Sequence, residues 1–204
     1  TFAVHPWLTP FRRLSIYVTM HSSRRPTADL PDLAPGVTLV DGHDIDPSNI
    51  ERIHVRIAQG AADALHHADP DTGLEAKFSM EYTVASAAVR DRVALTAFDD
   101  DAIGDPIVQQ VRKRVDFEVH NDHPYDSHQA YIRIDTADGS YERLQENPLG
   151  THDNPLTDAE LRAKFNECAH RAVTAETADT LAAIFTNLAE YDDIATAVRD
   201  AAQP

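Results

Sequence analysis

The hydrophobic pattern of this chain changes from mixed strand and helix to helix alone along its length, and that change limits the folds it can adopt. Residues 50–57 alternate, with Ile53, Val55 and Ile57 on one face, which predicts a half-buried strand. Helical spacing of apolar residues predicts a helix over residues 76–89. Further strands are predicted at residues 115–119, 131–134 and 141–144, the last two as a hairpin. Further helices are predicted at residues 105–114, 157–168, 174–189 and 194–201. This order predicts an α+β fold, in which a small, mostly antiparallel sheet flanked by helices is followed by C-terminal helices.

The first 40 residues differ in composition from the rest of the chain. They contain four arginines against two aspartates, hold five of the 12 prolines, and show no sustained hydrophobic period. The sequence also begins with Thr1 instead of Met. We interpret residues 1–41 as an atypical N-terminal arm, not as an independent domain.

Charge restricts the partners that this chain can have. Its net charge of −16 disfavours binding to nucleic acid or to anionic lipid, and no apolar stretch is long enough to span a membrane. Asp outnumbers Glu by 24 to 10 and Arg outnumbers Lys by 15 to 3, a bias that is typical of halophilic proteins. An ordinary acidic cytosolic protein is the alternative. Because Cys168 is the single cysteine, no internal disulfide can form, and we expect a cytoplasmic location.

Most of the common catalytic motifs are missing from the sequence. There is no phosphate-binding glycine loop, no nucleophile elbow and no H-E-x-x-H zinc motif. Histidines concentrate at residues 66–67 and 120–128, with spacings that match no known metal site, so we interpret both segments as hydrophilic loops. We therefore predict neither a metal nor an organic cofactor. On composition alone, Tyr82 is a core or rim aromatic and Lys77 is a solvated side chain.

Four sequence blocks, taken in order, resemble the C-terminal half of the MmgE/PrpD family, which contains 2-methylcitrate dehydratases, cis-aconitate decarboxylases and iminodisuccinate epimerases. The resemblance covers about residues 42–172. The blocks are H-D-I-D-P at 43–47 with I-E-R-I at 50–53; T-G-L-E-A-K-F-S at 72–79 with Tyr82 and Ala85; F-D-D at 98–100 with Asp105, Pro106, Arg114 and Val115; and N-P-L-T at 154–157 with Glu160, Leu161, Lys164 and Phe165.

The resemblance implies an architecture and an activity. Family members have a large helical domain and a smaller α+β lid, and their last helices return to pack on the helical domain. By this comparison residues 42–150 are the lid and residues 151–204 are the returning helices. The resemblance implies a lyase or isomerase that acts on small polycarboxylates without a cofactor, with 2-methylcitrate dehydration as the leading reaction. The choice between dehydration, decarboxylation and epimerisation stays open.

By this resemblance, two residues of this sequence match functional or motif positions of the family. Tyr82 matches the tyrosine that follows the K-F-S block, which implies a catalytic role, and Lys77 matches a motif residue that is either structural or substrate-facing. Because the acidic chain would repel a tricarboxylate, local cations such as Lys77, Arg90 and Arg92 would have to offset this repulsion, unless salt screens it. The other catalytic groups of the family lie in the helical domain, so this fragment alone is expected to be inactive.

The region before residue 43 departs from the family pattern. It lacks the family's lysine, its proline-cysteine stretch and the Thr-His that opens a helix, which suggests a truncated or misread upstream coding sequence, with ordinary divergence as the alternative. Without its helical domain the chain is expected to associate with such a domain or with a second copy of itself. The rival hypothesis is a stand-alone, non-catalytic module that binds a partner chain or a carboxylate ligand.

Overall fold

A computed structural model of this chain describes residues 45–90, 93–148 and 150–202. The arm predicted at residues 1–41 lies outside the described residues, as do His43, Asp44 and Arg92. The described residues divide into two compact units, one that ends at Pro155 and one that begins at Leu156.

A four-stranded sheet forms the base of the first unit. Its strands are β1 (Ile50–Ile57), β2 (Val115–Val119), β3 (Ala130–Thr136) and β4 (Gly139–Gln145), in the spatial order β2-β1-β3-β4. Strand β1 pairs in parallel with β2 and antiparallel with β3, and β3 and β4 form the predicted hairpin. The α+β fold with a mostly antiparallel sheet is therefore confirmed.

Between β1 and β2, the described residues form five short α-helices. They are α1 (Gln59–Ala64), α2 (Gly73–Ala76), α3 (Met80–Val89), α4 (Asp100–Ile103) and α5 (Pro106–Arg112). The helix predicted over residues 76–89 is confirmed for residues 80–89, but its predicted start is wrong, because non-helical residues 77–79 separate α2 from α3. Ser79 caps α3 by accepting a hydrogen bond from the Tyr82 amide (3.1 Å), and it also pairs across a short antiparallel bridge with His66. Both features require non-helical backbone at Ser79.

The core lies between one face of the sheet and helices α3 and α5. Ile53, Val55 and Ile57 of β1 are almost fully buried, as the alternation predicts. Ile50 is buried as well, three residues before Ile53, because a register shift between Ile50 and Arg52 turns its side chain to the same face. Helix α3 is buried on nearly all sides, which explains its high apolar content.

The opposite face of the sheet carries a ladder of charged side chains. Arg52 donates two hydrogen bonds to Asp116 (2.6 and 2.8 Å), and His54 Nδ1 lies 2.6 Å from the same carboxylate. Arg56 lies above the ring of Tyr131, with 4.8 Å between the guanidinium carbon and the ring centre. The hydrogen bonds from Arg52 and His54 lower the pKa of Asp116 to about 2.

The low pKa of Asp116 predicts a specific loss of stability in acid. A carboxylate whose pKa is lowered by folding stabilises the protein above its ordinary pKa, and this contribution disappears as the pH falls through about 2. Asp116→Asn should therefore destabilise the protein at pH 7 and flatten the decline of its unfolding free energy between about pH 4 and pH 2. Urea unfolding at a series of pH values measures this decline.

The control for this measurement is Asp122→Asn. Asp122 is exposed, and the described residues offer it no hydrogen bond or ion pair. Its replacement should leave the pH profile of the wild type intact. Parallel profiles for wild type and Asp116→Asn would show that the pair with Arg52 adds nothing to stability.

Three helices make up the second unit. They are α6 (Asp158–Ala169), α7 (Ala175–Thr186) and α8 (Ile194–Ala201), so the second of the predicted helices ends three residues early. The predicted capping box at the start of α6 is present: Thr157 Oγ1 accepts from the Glu160 amide (3.2 Å), and Glu160 accepts from the Thr157 amide (2.8 Å). Within the described ranges no helix is both long enough and apolar enough to cross a membrane.

Apolar side chains of this second unit remain exposed. Phe165 and Phe185 contact each other with 6.1 Å between ring centres, yet Phe185 is half-exposed. The other large apolar side chains exposed in this unit are Leu161, Leu188, Tyr191 and Ile194. Several large apolar side chains of this unit are therefore in contact with solvent.

Candidate substrate-facing site

The segment from Thr72 to Tyr82 holds both sequence-predicted site residues, and its local structure begins with a capping box. Thr72 Oγ1 accepts from the Glu75 amide (3.3 Å), while the Glu75 carboxylate accepts from the amides of Thr72 (3.3 Å) and Asp71 (2.9 Å). These bonds lower the pKa of Glu75. The sequence contains the T-x-x-E pattern of a capping box here, but Thr72 and Glu75 are not among the caps predicted from sequence.

Gly73 allows this segment to approach the turn at residues 95–98. A Cβ atom added at Gly73 would lie 1.9 Å from the carbonyl oxygen of Phe98 and 3.0 Å from its carbonyl carbon. No side chain fits there, because the obstacle is backbone. Glycine at this motif position is thus explained by the close contact of two chain segments.

Tyr82 lies inside the first unit. Its side chain is fully buried, its ring centre lies 6.1 Å from that of Phe98, and its hydroxyl donates to the carbonyl oxygens of Ala97 (2.5 Å) and Ala102 (3.3 Å). These bonds tie α3 to the chain on either side of Asp99. They give the hydroxyl a structural role, and the catalytic role that the family resemblance implies stays a prediction.

Lys77 lies in the turn between α2 and α3. Its side chain is half-buried, and its ammonium group lies 5.9 Å from the centre of the Phe98 ring. The expectation that Lys77 and Tyr82 leave one continuous helix is wrong, but Phe98 contacts both side chains and so brings them into one neighbourhood. Among the residues that the structure describes, none forms a hydrogen bond or an ion pair with the ammonium group of Lys77, while its backbone amide donates to the Gly73 carbonyl (3.3 Å).

Arg90, a second expected carboxylate ligand, is used within the fold. Its Nη2 donates to the Ala102 carbonyl (3.0 Å) and lies 3.4 Å from an oxygen of Asp105. Arg92 is not among the described residues. Of the two expected cations that the structure describes, Arg90 is engaged within the fold and the Lys77 ammonium is not.

Other residues of the family blocks hold the backbone in place. Asp105 caps α5 by accepting from the amides of Ile107 (2.9 Å) and Val108 (3.3 Å). Arg114 donates to the carbonyl oxygens of Ser48 (3.3 Å) and Ile50, and so fixes the start of β1. Within the T-G-L-E-A-K-F-S block, the Leu74 side chain is exposed and those of Lys77 and Phe78 are half-buried.

Both histidine-rich segments are loops or loop edges. His66 and His67 have ring centres 4.4 Å apart, and His120 and His123 have ring centres 4.3 Å apart. Within the described part of the chain, no three His, Cys, Asp or Glu side chains come close enough together to hold a metal ion.

One carboxyl group of this segment, that of Glu81, is not predicted as special from the sequence. Glu81 is half-buried at the start of α3, and burial raises its pKa, although the Ser79 hydroxyl (3.5 Å) and the charge of Arg112 partly oppose the shift. Nothing in the sequence distinguishes Glu81 from an exposed helix residue, because its environment depends on Arg112 of α5.

Comparison with known proteins identifies the family. The MmgE/PrpD C-terminal domain matches residues 35–190 of this chain. The cis-aconitate decarboxylase of Mus musculus is 25% identical over 154 residues, which are 74% of this chain and 31% of that enzyme. The chain thus spans about a third of the length of the curated relative that it matches. These findings confirm the resemblance drawn from the four sequence blocks. The chain belongs to the MmgE/PrpD family, and the part that it matches is the family's C-terminal domain.

Proposed function

We propose that this chain supplies the C-terminal, lid part of a lyase or isomerase that acts on small polycarboxylates. The observation that carries the proposal is the match of the MmgE/PrpD C-terminal domain to residues 35–190. The similarity to a cis-aconitate decarboxylase supports the same substrate class, because cis-aconitate is a tricarboxylate.

The chemistry of such substrates requires a cation in the site, and Lys77 is the candidate for this role. Removing water or carbon dioxide from a polycarboxylate leaves negative charge on carbon beside carboxylates, so the site needs cations and a positioned acid or base. Lys77 is a cation without a partner among the described residues, at the surface of the family's own motif. Its proposed role is to bind a substrate carboxylate, and the proposed role of Tyr82 is proton donation in the complete enzyme.

For the reaction itself we propose 2-methylcitrate dehydration, with decarboxylation as the second candidate. The mouse relative is a decarboxylase, which supports the second candidate. Both reactions need the same carboxylate-binding cations, so Lys77 serves either one. The two differ in the bond that breaks, C–O for dehydration and C–C for decarboxylation, and a product assay separates them.

The chain alone is proposed to be inactive. The 154 residues that align with the mouse relative cover 31% of that enzyme. In the family architecture, the remaining acid and base groups come from the helical domain. The exposed apolar side chains of α6, α7 and α8 support a partner surface in the second unit, as a family-type helical domain or a second copy would require.

The DNA upstream of residue 42 tests this proposal directly. A frame that encodes a helical domain, with the family's proline-cysteine stretch and Thr-His pair near its end, would support a lyase or isomerase. If no frame encodes it, the chain is instead a stand-alone binding module. That rival also predicts a folded monomer without self-association, which sedimentation velocity measures.

We propose, in addition, that the protein is adapted to high salt and acts in the cytoplasm. Repulsion among surplus acids weakens when salt screens it, so the melting temperature should rise as KCl increases from dilute to molar concentrations. Sorbitol at the same osmolality is the control, since it excludes volume without screening charge. A flat or falling melting temperature in KCl, or an equal rise in sorbitol, would contradict halophilic adaptation.

A further inference from the structure

Beside the turn that carries Lys77 lies a pair of histidines that the family motif does not include. The segment at residues 65–69 runs along the turn: the His67 amide donates to the Phe78 carbonyl (3.1 Å), and His66 pairs with Ser79. The His66 ring stacks on Phe78 at 6.5 Å between centres and 24° between planes. The backbone pairing therefore places His66 and His67 opposite Phe78 and Ser79, the two residues that follow Lys77.

The largely buried side chain of Arg112 holds this loop in place. Arg112 of α5 donates to the Ala68 carbonyl (2.8 Å) and to Gln109 (3.0 Å), and it forms an ion pair with Asp69 (2.5 Å). The side chain of Arg112 is only 12% exposed. The loop is thus held in place by interactions that do not use the imidazoles.

The two imidazoles are available to bind a ligand. His66 is exposed and His67 is half-buried, and no residue within the described ranges forms a hydrogen bond or an ion pair with either ring. Glu75 is the carboxylate whose charge His67 faces, and that carboxylate is already engaged by the amides of Asp71 and Thr72. An imidazole N–H is a good donor to a carboxylate oxygen.

We propose that His66 and His67 form a second carboxylate-binding element beside Lys77, and so help to select polycarboxylates over monocarboxylates. This inference rests on the proposed function and extends it to residues outside the motif. A monocarboxylate satisfies Lys77 alone. A dicarboxylate or tricarboxylate reaches the histidine pair as well, across the width of one short turn.

A titration of the full chain with cis-aconitate tests the proposal by NMR. The ring resonances of His66 and His67 should shift saturably at constant pH and ionic strength, while those of His152, which is exposed elsewhere in the chain, should not. The double variant His66→Gln, His67→Gln should weaken binding about tenfold, as expected for the loss of hydrogen bonds to a charged group. Acetate, the monocarboxylate control, should bind equally weakly to wild type and to the double variant.

The outcomes separate this inference from the proposed function. If Lys77→Met abolishes cis-aconitate binding but the double histidine variant binds like wild type, the histidine pair has no role, and the polycarboxylate function stands. The absence of a saturable shift at His66 and His67 in wild type also overturns the inference. The proposed function is not affected by that result, because its test is turnover by the complete enzyme. Because His66 is exposed and the described residues form no hydrogen bond or ion pair with either ring, circular dichroism should show the double variant to be folded.

Discussion

Replacing Gly73 with alanine should destabilise the first unit by at least about 3 kcal/mol, near the upper end of the range for single substitutions. The added Cβ would lie 1.9 Å from the Phe98 carbonyl oxygen, and this backbone atom cannot rotate away as a side chain would. Either α2 or the turn at residues 95–98 must move. Urea unfolding followed by circular dichroism gives the free energy.

Gly104→Ala is the matched control for this prediction. Gly104 ends α4 with φ −78° and ψ 1°, which alanine adopts readily, and a Cβ there meets no atom within 4 Å. Its replacement should leave stability unchanged or raise it by up to about 1 kcal/mol, because alanine restricts the unfolded chain. Equal effects of the two substitutions would show that the contact between Gly73 and Phe98 is absent in solution.

The second large effect is expected for Tyr82→Phe, and it has two separate readouts. The variant keeps the ring against Phe98 but leaves the buried carbonyl of Ala97 without its donor, which should cost about 1–3 kcal/mol of stability. If Tyr82 also donates a proton in the complete enzyme, kcat should fall by roughly 10²-fold with little change in KM.

The stability readout can be made on this chain, and the kinetic readout requires the complete enzyme. Tyr125→Phe is the control, because Tyr125 is half-exposed and its hydroxyl bonds to Asp63 at the surface; its loss should be small in both measurements. A fall in stability with wild-type kcat would limit Tyr82 to holding α3 against the turn. Unchanged stability would contradict the buried hydrogen bond itself.

The fold could be predicted from sequence where the hydrophobic pattern is local. Strand β1 was predicted because every second side chain of residues 53–57 faces the core, and the cap at Thr157 was predicted because its partner Glu160 is three residues away. The break between α2 and α3 was missed. It depends on the pairing of Ser79 with His66, thirteen residues earlier, which no helical period encodes.

The candidate site was predictable in its residues but not in its geometry. The family motif predicts Lys77 and Tyr82 as site residues. The buried hydrogen bond from the Tyr82 hydroxyl to the Ala97 carbonyl could not be predicted, because only folding brings these two groups into contact. The engagement of Arg90 by Asp105 likewise depends on the position of α5. Sequence alone treated Arg90 and Lys77 as equivalent cations, and the structure separates them.

The most direct test of the proposed function is turnover by the complete enzyme. The chain should be expressed both alone and joined to a helical domain of the family, and each form incubated with 2-methylcitrate and with cis-aconitate while products are followed by NMR. We predict that the joined enzyme converts one of these polycarboxylates, that Lys77→Met greatly impairs this conversion, and that the chain alone converts neither. Turnover by the chain alone, or a folded joined enzyme that converts neither compound, would contradict the assignment of this chain as the lid of a polycarboxylate lyase or isomerase.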